Sequence, residues 1–375
     1  MKKIVFLIDS MGVGGAQELL LTYLENTELR DVQLHLVQLT PSNVFEERIR
    51  RIGCKHYIIG PECVPSWKIL NPYYFFKLVR LLKAIKPEAL YVQLFASFLL
   101  GVPAGRLAGV RRVAYEINYL KTQAPFWWPW LLLSMSPLVK YFCMYHEESY
   151  RHFGLPDWKF KRLAGYVRFD QKDDSADNVV FSEEKLGPEC CVSVGRLVRE
   201  KGHQYAIEAV SLLRKDCPDI KLAIVGSGPY ERALRALVKK LDMEGMVIFT
   251  GYVKNLNHLY AHAAVFLMGS PCETINVAAR WALHCGIPVV KFAIPHSSEI
   301  IDLVSERCGL YAPYKSVAGL ALKTGEVLSN KKLRVDMGER GKSCIQRMSS
   351  SLDVIREYDM MFRELLVTEK KECAE

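Results

Sequence analysis

The stretch Ser270-Pro-Cys-Glu273-Thr-Ile-Asn276-Val-Ala-Ala-Arg-Trp281-Ala-Leu-His-Cys285-Gly286-Ile-Pro-Val-Val290 decides how this chain is read. The run Val265-Phe-Leu-Met268 before it has the composition of a buried strand, and an acidic loop follows. From about Asn276 to His284 the residues fall into a helical pattern, and Cys285-Gly286 stops that helix ahead of a second buried strand.

The same alternation extends in both directions. Strands are expected at Lys3–Ile8, Gln33–Gln38, Ala89–Val92, Arg112–Tyr115 and Tyr141–Met144. A second set is expected at Cys191–Val194, Lys221–Val225, Val247–Phe249, Ala264–Met268 and Pro288–Lys291, with helix-period stretches between. Such alternation implies an α/β fold of doubly wound parallel sheets. The 375 residues suffice for two domains, each with its own core. The expected layout is two nucleotide-fold halves, 1–170 and 188–351, facing each other across a cleft. A polar linker over 171–187, with Asp173, Asp174 and Asp177, would join them.

Half of the chain is hydrophobic and 24% is charged, a composition that argues against disorder. The net charge of +9 suits anionic partners such as nucleotide sugars or a phospholipid surface. Nucleic acid is not an expected partner, because the basic residues are scattered and no zinc-finger, helix-turn-helix or aromatic RNA-binding signature occurs. The eleven cysteines form no Cys-x-x-Cys pair. The opening Met-Lys-Lys-Ile-Val-Phe-Leu-Ile-Asp9 has an apolar run of five residues, short for an export segment and right for a buried strand. A reduced cytoplasmic setting, with the inner face of the plasma membrane as one possible location, is the expectation.

Pro125-Phe-Trp127-Trp128-Pro129-Trp130-Leu-Leu-Leu concentrates three tryptophans beside a leucine run. Pro129 and Pro137 interrupt it, and a spanning helix needs roughly 20 apolar residues. Two readings stand open: a buried helix, or an interfacial edge presenting Trp127, Trp128 and Trp130 to a membrane or lipid-linked acceptor.

Four glycine turns carry the candidate chemistry. Asp9-Ser-Met-Gly-Val-Gly14-Gly15-Ala-Gln17 follows the first strand and opens a helix, where free amides favour an anion. In Val194-Gly195-Arg196-Leu-Val-Arg199-Glu-Lys201-Gly202-His203 two cations five residues apart bracket a loop that opens a helix. A guanidinium fork, an ammonium and helix amides could hold a diphosphate without metal. Ile224-Val-Gly226-Ser-Gly228-Pro-Tyr230 and Phe249-Thr-Gly251-Tyr252-Val253 complete the set. No His-Glu-x-x-His helix, Gly-x-Ser-x-Gly elbow or Walker loop competes, and Asp173-Asp174 lacks the Asp-x-Asp spacing of a metal-dependent transferase.

In order and position these motifs resemble those of retaining GT-B glycosyltransferases of the glycosyl transferases group 1, family 4 type. The resemblance rests on Gly14-Gly15-Ala-Gln17, Val194-Gly195-Arg196-Leu197 with Lys201-Gly202, Glu273, and Cys285-Gly-Ile-Pro-Val-Val290. It implies that a sugar passes from a UDP- or GDP-linked donor to a saccharide or lipid-linked hydroxyl acceptor, with no metal or cofactor beyond the donor itself. It implies catalytic roles for Arg196, Lys201 and Glu273. Donor contacts are implied at Gly14, Gly15, Gly195, Gly226, Tyr252, Val253, Thr274, Ile275 and Asn276. The final helical stretch, 352–372, would cross back to the first domain, and the setting would be cell-envelope polysaccharide or glycolipid assembly, with peripheral membrane contact.

The chain departs from the pattern at two places. The family's second acid, which grips the ribose hydroxyls, is Trp281 here, eight positions beyond Glu273 and with one donor and no acceptor. Trp281 is expected to stack on ribose or base while other groups hold the hydroxyls. A histidine common after the Arg112–Tyr115 strand is also absent, leaving Glu116 and Asn118 as candidates on the acceptor side together with His146. These departures also motivate the rival reading, a non-catalytic GT-B-like binding or scaffolding subunit.

Overall fold

The computed structural model describes residues 1–12, 14–41, 43–60, 71–117, 127–144, 147–163, 187, 190–253, 255–271, 273, 276–295, 301–348 and 351–367. The chain divides into two compact units, Met1–Tyr166 with Ser351–Glu375, and Val167–Ser350. The stretch expected as a linker lies outside the described residues except for Gly187.

The first unit runs β1 (Lys2–Ile8), α1 (Gly15–Asn26), β2 (Val32–Gln38), α2 (Glu46–Ile52), β3 (Lys55–Ile58), α3 (Pro72–Ile85) and β4 (Ala89–Gln93). It continues through α4 (Phe95–Leu107), β5 (Arg112–Glu116), α5 (Trp128–Met135), β6 (Tyr141–Met144), α6 (Glu147–His152) and β7 (Phe160–Arg162). All pairings are parallel, in the order β3-β2-β1-β4-β5-β6-β7. Alternate residues of β1 serve opposite faces. Val5 and Leu7 enter one core cluster, and Ile4, Phe6 and Ile8 enter the other, which is why the strand reads as an unbroken apolar run.

The second unit runs β8 (Cys190–Val194), α7 (His203–Leu213), β9 (Lys221–Val225), α8 (Glu231–Lys240), β10 (Val247–Gly251), α9 (Asn257–Ala261) and β11 (Ala263–Met268). It continues through α10 (Val277–His284), β12 (Val289–Phe292), β13 (Gly309–Ala312), α11 (Val317–Ser329) and α12 (Lys331–Met348). Its sheet is again parallel, ordered β10-β9-β8-β11-β12-β13. Cys190 and Cys191 both lie in the core, on opposite faces of β8. Small buried thiols there fill space like alanine or valine.

The last helix, α13 (Ser351–Leu366), packs on the first unit, where Ile355, Phe362 and Leu365 join the cluster around Phe6. A buried carboxylate locks it: Tyr23 and Thr27 donate their hydroxyls to Asp359 Oδ1 at 2.7 and 2.6 Å, and the Glu28 amide donates to Oδ2 at 2.9 Å.

In each sheet the strand order reverses at one point, between β1 and β4 and between β8 and β11. Chains leaving such neighbours at their carboxyl ends diverge, so a crevice opens there. The loops over those two points include the glycine turns after β1 and β8 and the acidic loop after β11 singled out in the sequence.

Candidate functional site

In the second unit three strand ends are tied together by their own backbone. Gly195 N donates to Val225 O at 3.0 Å, Leu197 N to Ser227 O at 2.9 Å, and Gly226 N to Gly251 O at 2.8 Å. Gly226 has φ +133°, and a Cβ on it would meet Gly195 O at 2.0 Å, so only glycine allows the loops after β8 and β9 to approach this closely. Gly202 repeats the arrangement one turn on. With φ +70° it stands at the start of α7, and a Cβ there would sit 2.0 Å from Gly269 O. The loop after β8 is thereby pressed onto the loop after β11, and Ser270 Oγ donates to Glu200 O at 2.9 Å across the seam.

Across that seam the Lys201 ammonium forms an ion pair with Glu273 Oε1, both side chains being about a fifth to a quarter exposed. The other carboxylate oxygen, Oε2, is buried with no hydrogen-bond partner among the described residues. A carboxylate held by one oxygen on a cation retains acceptor capacity on the other. Arg196 lies at the end of β8 with its side chain exposed, and no acid pairs with it among the described residues. His203, the first residue of α7, is buried with Nδ1 3.0 Å from Ser193 Oγ, and burial pushes its pKa down to about 4. Its imidazole is therefore neutral at pH 7, and the cations of this edge are lysine and arginine.

The start of α10 is capped by Asn276, whose Oδ1 accepts from Ala279 N at 2.8 Å, so Glu273 is not spent on capping. Thr274 and Ile275 lie outside the described residues. Tyr252 is half exposed beyond β10, whereas the Val253 side chain belongs to the core.

The expectation that Trp281 stacks on ribose or base is corrected by its position. Its side chain faces inward from α10 and is only 9% exposed. The indole N–H donates to Asn257 Oδ1 at 3.0 Å, and the ring stands edge-on to Tyr260 at 6.5 Å. Tyr260 in turn donates to Ala278 O at 2.9 Å. A large apolar ring with its single donor satisfied is stable in the core, and here it fastens α10 to α9.

One residue of the site escaped sequence reasoning. Lys291 interrupts the apolar run of β12, is fully buried, and donates from Nζ to the main-chain carbonyl of Glu273 at 3.1 Å, with its ammonium 5.9 Å from the Tyr311 ring. A lysine inside Val289-Val290-Lys291-Phe292-Ala293-Ile294 was the available signal, because an ammonium in such a run must find acceptors or lose its charge.

The carboxyl edge of the first sheet is different in character. Gly14 precedes α1, and the Gln17 side chain braces the turn by donating to Ser10 O at 3.1 Å; Gly15 is the first residue of α1. Asp9 accepts from the Ala96 and Ser97 amides at 3.2 and 2.6 Å, which caps the first turn of α4 from a neighbouring strand end. Burial holds its carboxyl above the usual range. Leu94, between β4 and α4, has φ +70° and ψ 171°, a conformation that costs a non-glycine residue about 1–3 kcal/mol.

Glu116, a candidate for the acceptor side, is placed beside this strained turn. It is buried, and its Oε2 accepts from Tyr91 OH and Gln93 Nε2, both at 2.6 Å. Asn118 and His146 lie outside the described residues.

The tryptophan cluster divides between its two readings. Trp128 is in the core against Phe95 and Phe98, at 5.2 and 5.7 Å between ring centroids. Trp130 is 74% exposed, with Trp127 and Leu133 also exposed. Among the described residues no helix is long and apolar enough to cross a membrane.

Comparison with known proteins agrees with the fold. Residues 175–343 match the family described as Glycosyl transferases group 1. The chain is 26% identical over 205 residues to N-acetyl-alpha-D-glucosaminyl L-malate synthase of Bacillus anthracis, covering 55% of this chain and 52% of that protein. It is 30% identical over 162 residues to the GDP-mannose-dependent alpha-(1-6)-phosphatidylinositol monomannoside mannosyltransferase of Mycolicibacterium smegmatis, covering 40% and 41%. The matched stretch thus spans about half the length of these curated relatives or less. Among solved structures, Anabaena Alr3699/HepE in complex with UDP and glucose superposes with a TM-score of 0.81 at 16% identity, covering 97% of this chain and all of that one. The stretch 175–343 is thus similar to the glycosyl transferases group 1 family, and the chain has the GT-B fold.

Proposed function

We propose that this chain is a group 1 glycosyltransferase that moves a sugar from a nucleoside-diphosphate sugar to a hydroxyl acceptor, with retention of anomeric configuration and without a metal. The observation that carries this reading is the Lys201–Glu273 pair at the switch point of the second sheet, with one Glu273 oxygen buried and unpartnered among the described residues. Arg196 and Lys201 supply two positive charges where a departing diphosphate needs them, and their stabilisation grows as the glycosidic bond breaks. Glu273 Oε2 accepts from a donor-sugar hydroxyl, which orients the anomeric carbon. Attack comes from the face the diphosphate leaves, through an oxocarbenium-like state, and the leaving phosphate oxygen takes the acceptor's proton. The amides that open α7 complete the diphosphate cradle.

For the donor base, uracil is favoured by the UDP and UDP-glucose complexes of the Anabaena structure, with guanine as the alternative that the mycobacterial relative's name supports. The acceptor side is assigned to the edge bearing Asp9 and Glu116. Exposed Trp127, Trp130 and Leu133, with the net charge of +9, fit contact with an anionic membrane surface and a lipid-linked acceptor in envelope polysaccharide or glycolipid assembly. That contact would be made from the cytoplasmic face.

Calorimetry with UDP and GDP tests the reading, and one of the two is expected to bind. Binding of neither would overturn it. A non-catalytic binding subunit is the second reading, favoured by the placement of Trp281 in the core where the resemblance leads to an acid. It predicts nucleotide binding without hydrolysis or transfer of any nucleotide sugar, which release of free nucleoside diphosphate distinguishes.

A further inference from the structure

We infer that Lys291 is a positioning residue for the donor sugar, acting through the backbone of Glu273; this rests on the donor-site reading above. Glu273 is held at two points by two different lysines. Its carboxylate meets Lys201 from the loop after β8, and its carbonyl accepts from Lys291 within β12. The carbonyl contact fixes the main chain, and the carboxylate contact fixes the side chain. Each loses its orienting value if the other is released, because a loop residue anchored by its side chain alone can still rotate its backbone.

The placement of Lys291 supports this role over a purely structural one. An ammonium buried in a strand carries a desolvation cost that an apolar residue of similar volume would avoid, so packing alone does not call for lysine there. The neighbouring strand residues Val289, Val290 and Phe292 fill core positions with no polar atoms. The lysine therefore contributes what its neighbours do not, a rigid donor under the acidic loop. Its 0% exposure keeps it from touching a ligand, and its bond to the Glu273 carbonyl is the route by which it acts on the sugar.

The chemical consequence is selective. Glu273 is assigned to the sugar, while Arg196, Lys201 and the α7 amides are assigned to the diphosphate. Loss of Lys291 should weaken recognition of the sugar and leave the nucleoside diphosphate largely untouched. A residue that merely stabilised the unit would weaken both alike.

The experiment compares UDP with UDP-glucose, and GDP with GDP-mannose in parallel, in wild type, Lys291→Met, Glu273→Ala and the double variant. Methionine matches the lysine stem in length and removes the charge. Lys291→Met is expected to lower affinity for the bound nucleotide sugar by about 10- to 100-fold, the scale of a small misplacement in a preorganised site, with the nucleoside diphosphate affinity unchanged. In the Glu273→Ala background it should add nothing, since the group it positions is gone. Equal loss for nucleotide and nucleotide sugar, no loss for either, or fully additive losses would overturn the inference. Should Lys291→Met fail to fold by thermal melting, Lys291→Gln, which keeps a donor on a shorter stem, is read by the same ratio and the same criteria. A wild type that binds none of the four ligands overturns the donor-site reading itself, whereas a wild type that binds normally with an unmoved ratio in the variants overturns only the role of Lys291.

Discussion

The two sheets share one winding and one kind of switch point, yet their carboxyl edges carry opposite chemistry. At the first, the half-buried Asp9 and the buried Glu116 are carboxyl groups held by amides, a phenol and a carboxamide. At the second, Lys201 and Lys291 hold Glu273 while Arg196 stands exposed on the neighbouring loop, and His203 is kept neutral by burial. The fold decides where loops converge, and the charges at the convergence decide what can be held. The edge that presents Arg196 and Lys201 suits a diphosphate; the edge lined by carboxyl groups suits hydroxyl groups.

The largest effect that could break this contrast comes from removing one cation. Lys201→Ala and Arg196→Ala should each lower turnover of a nucleotide sugar by about 10²- to 10³-fold, the usual scale for losing one preorganised stabiliser of developing negative charge. Lys201→Ala also releases Glu273, so its nucleotide-sugar affinity should fall as well. Glu116→Gln, on the other edge, should leave nucleoside diphosphate affinity unmoved. Release of nucleoside diphosphate measures the first outcome and calorimetry the second. A Glu116→Gln variant that loses diphosphate binding as fully as Lys201→Ala would show that the two edges are not divided in this way.

Next in size is the core of the second unit. Trp281→Glu replaces a packed indole with a carboxylate facing Tyr260 and Asn257. Truncating a buried tryptophan alone costs about 3–5 kcal/mol, and an uncompensated buried charge adds to that. The variant should melt well below wild type and gain no nucleotide affinity. Melting and calorimetry together decide it: a stable variant that binds nucleotide more tightly would mean that the site lies open to a ribose and that the tryptophan had displaced a grip.

Legibility in the sequence followed position in the sheet. Interior strands such as Lys221–Val225 and Tyr141–Met144 coincide with apolar runs because both of their faces are covered. The strands that no run announces, Lys55–Ile58, Phe160–Arg162 and Gly309–Ala312, are all at sheet edges and partly exposed. Cation spacing and the glycine turn marked the Arg196–Lys201 loop, and Asn276 was recognisable as a helix start. What could not be read was anything made by contact across the fold. Nothing in the pattern joins Lys291 to the carbonyl of Glu273, or Tyr91 and Gln93 to Glu116, and Trp281 looks alike whether its ring turns toward a ligand or into the core.

The smallest effect is a pair of opposed pH slopes, which sharpens the contrast between edges. His203 has its folded pKa lowered from 6.5 to about 4, first by burial and further by the Lys201 charge. Between those values the unfolded chain binds a proton that the folded chain refuses, so stability is full above pH 6.5 and is lost as pH falls toward 4. The whole window is worth about 3 kcal/mol, and only part of it falls between pH 5 and 7. Asp9 has the reverse sign. Burial raises its folded pKa above 3.8, so the folded chain keeps a proton the unfolded chain has released, and stability declines as pH rises through that folded pKa. Melting temperature followed from pH 4 to 7 should therefore lose its upward component in His203→Asn and its downward component in Asp9→Asn. Slopes left unchanged by both substitutions would place the titrating groups elsewhere and remove the electrostatic half of the comparison.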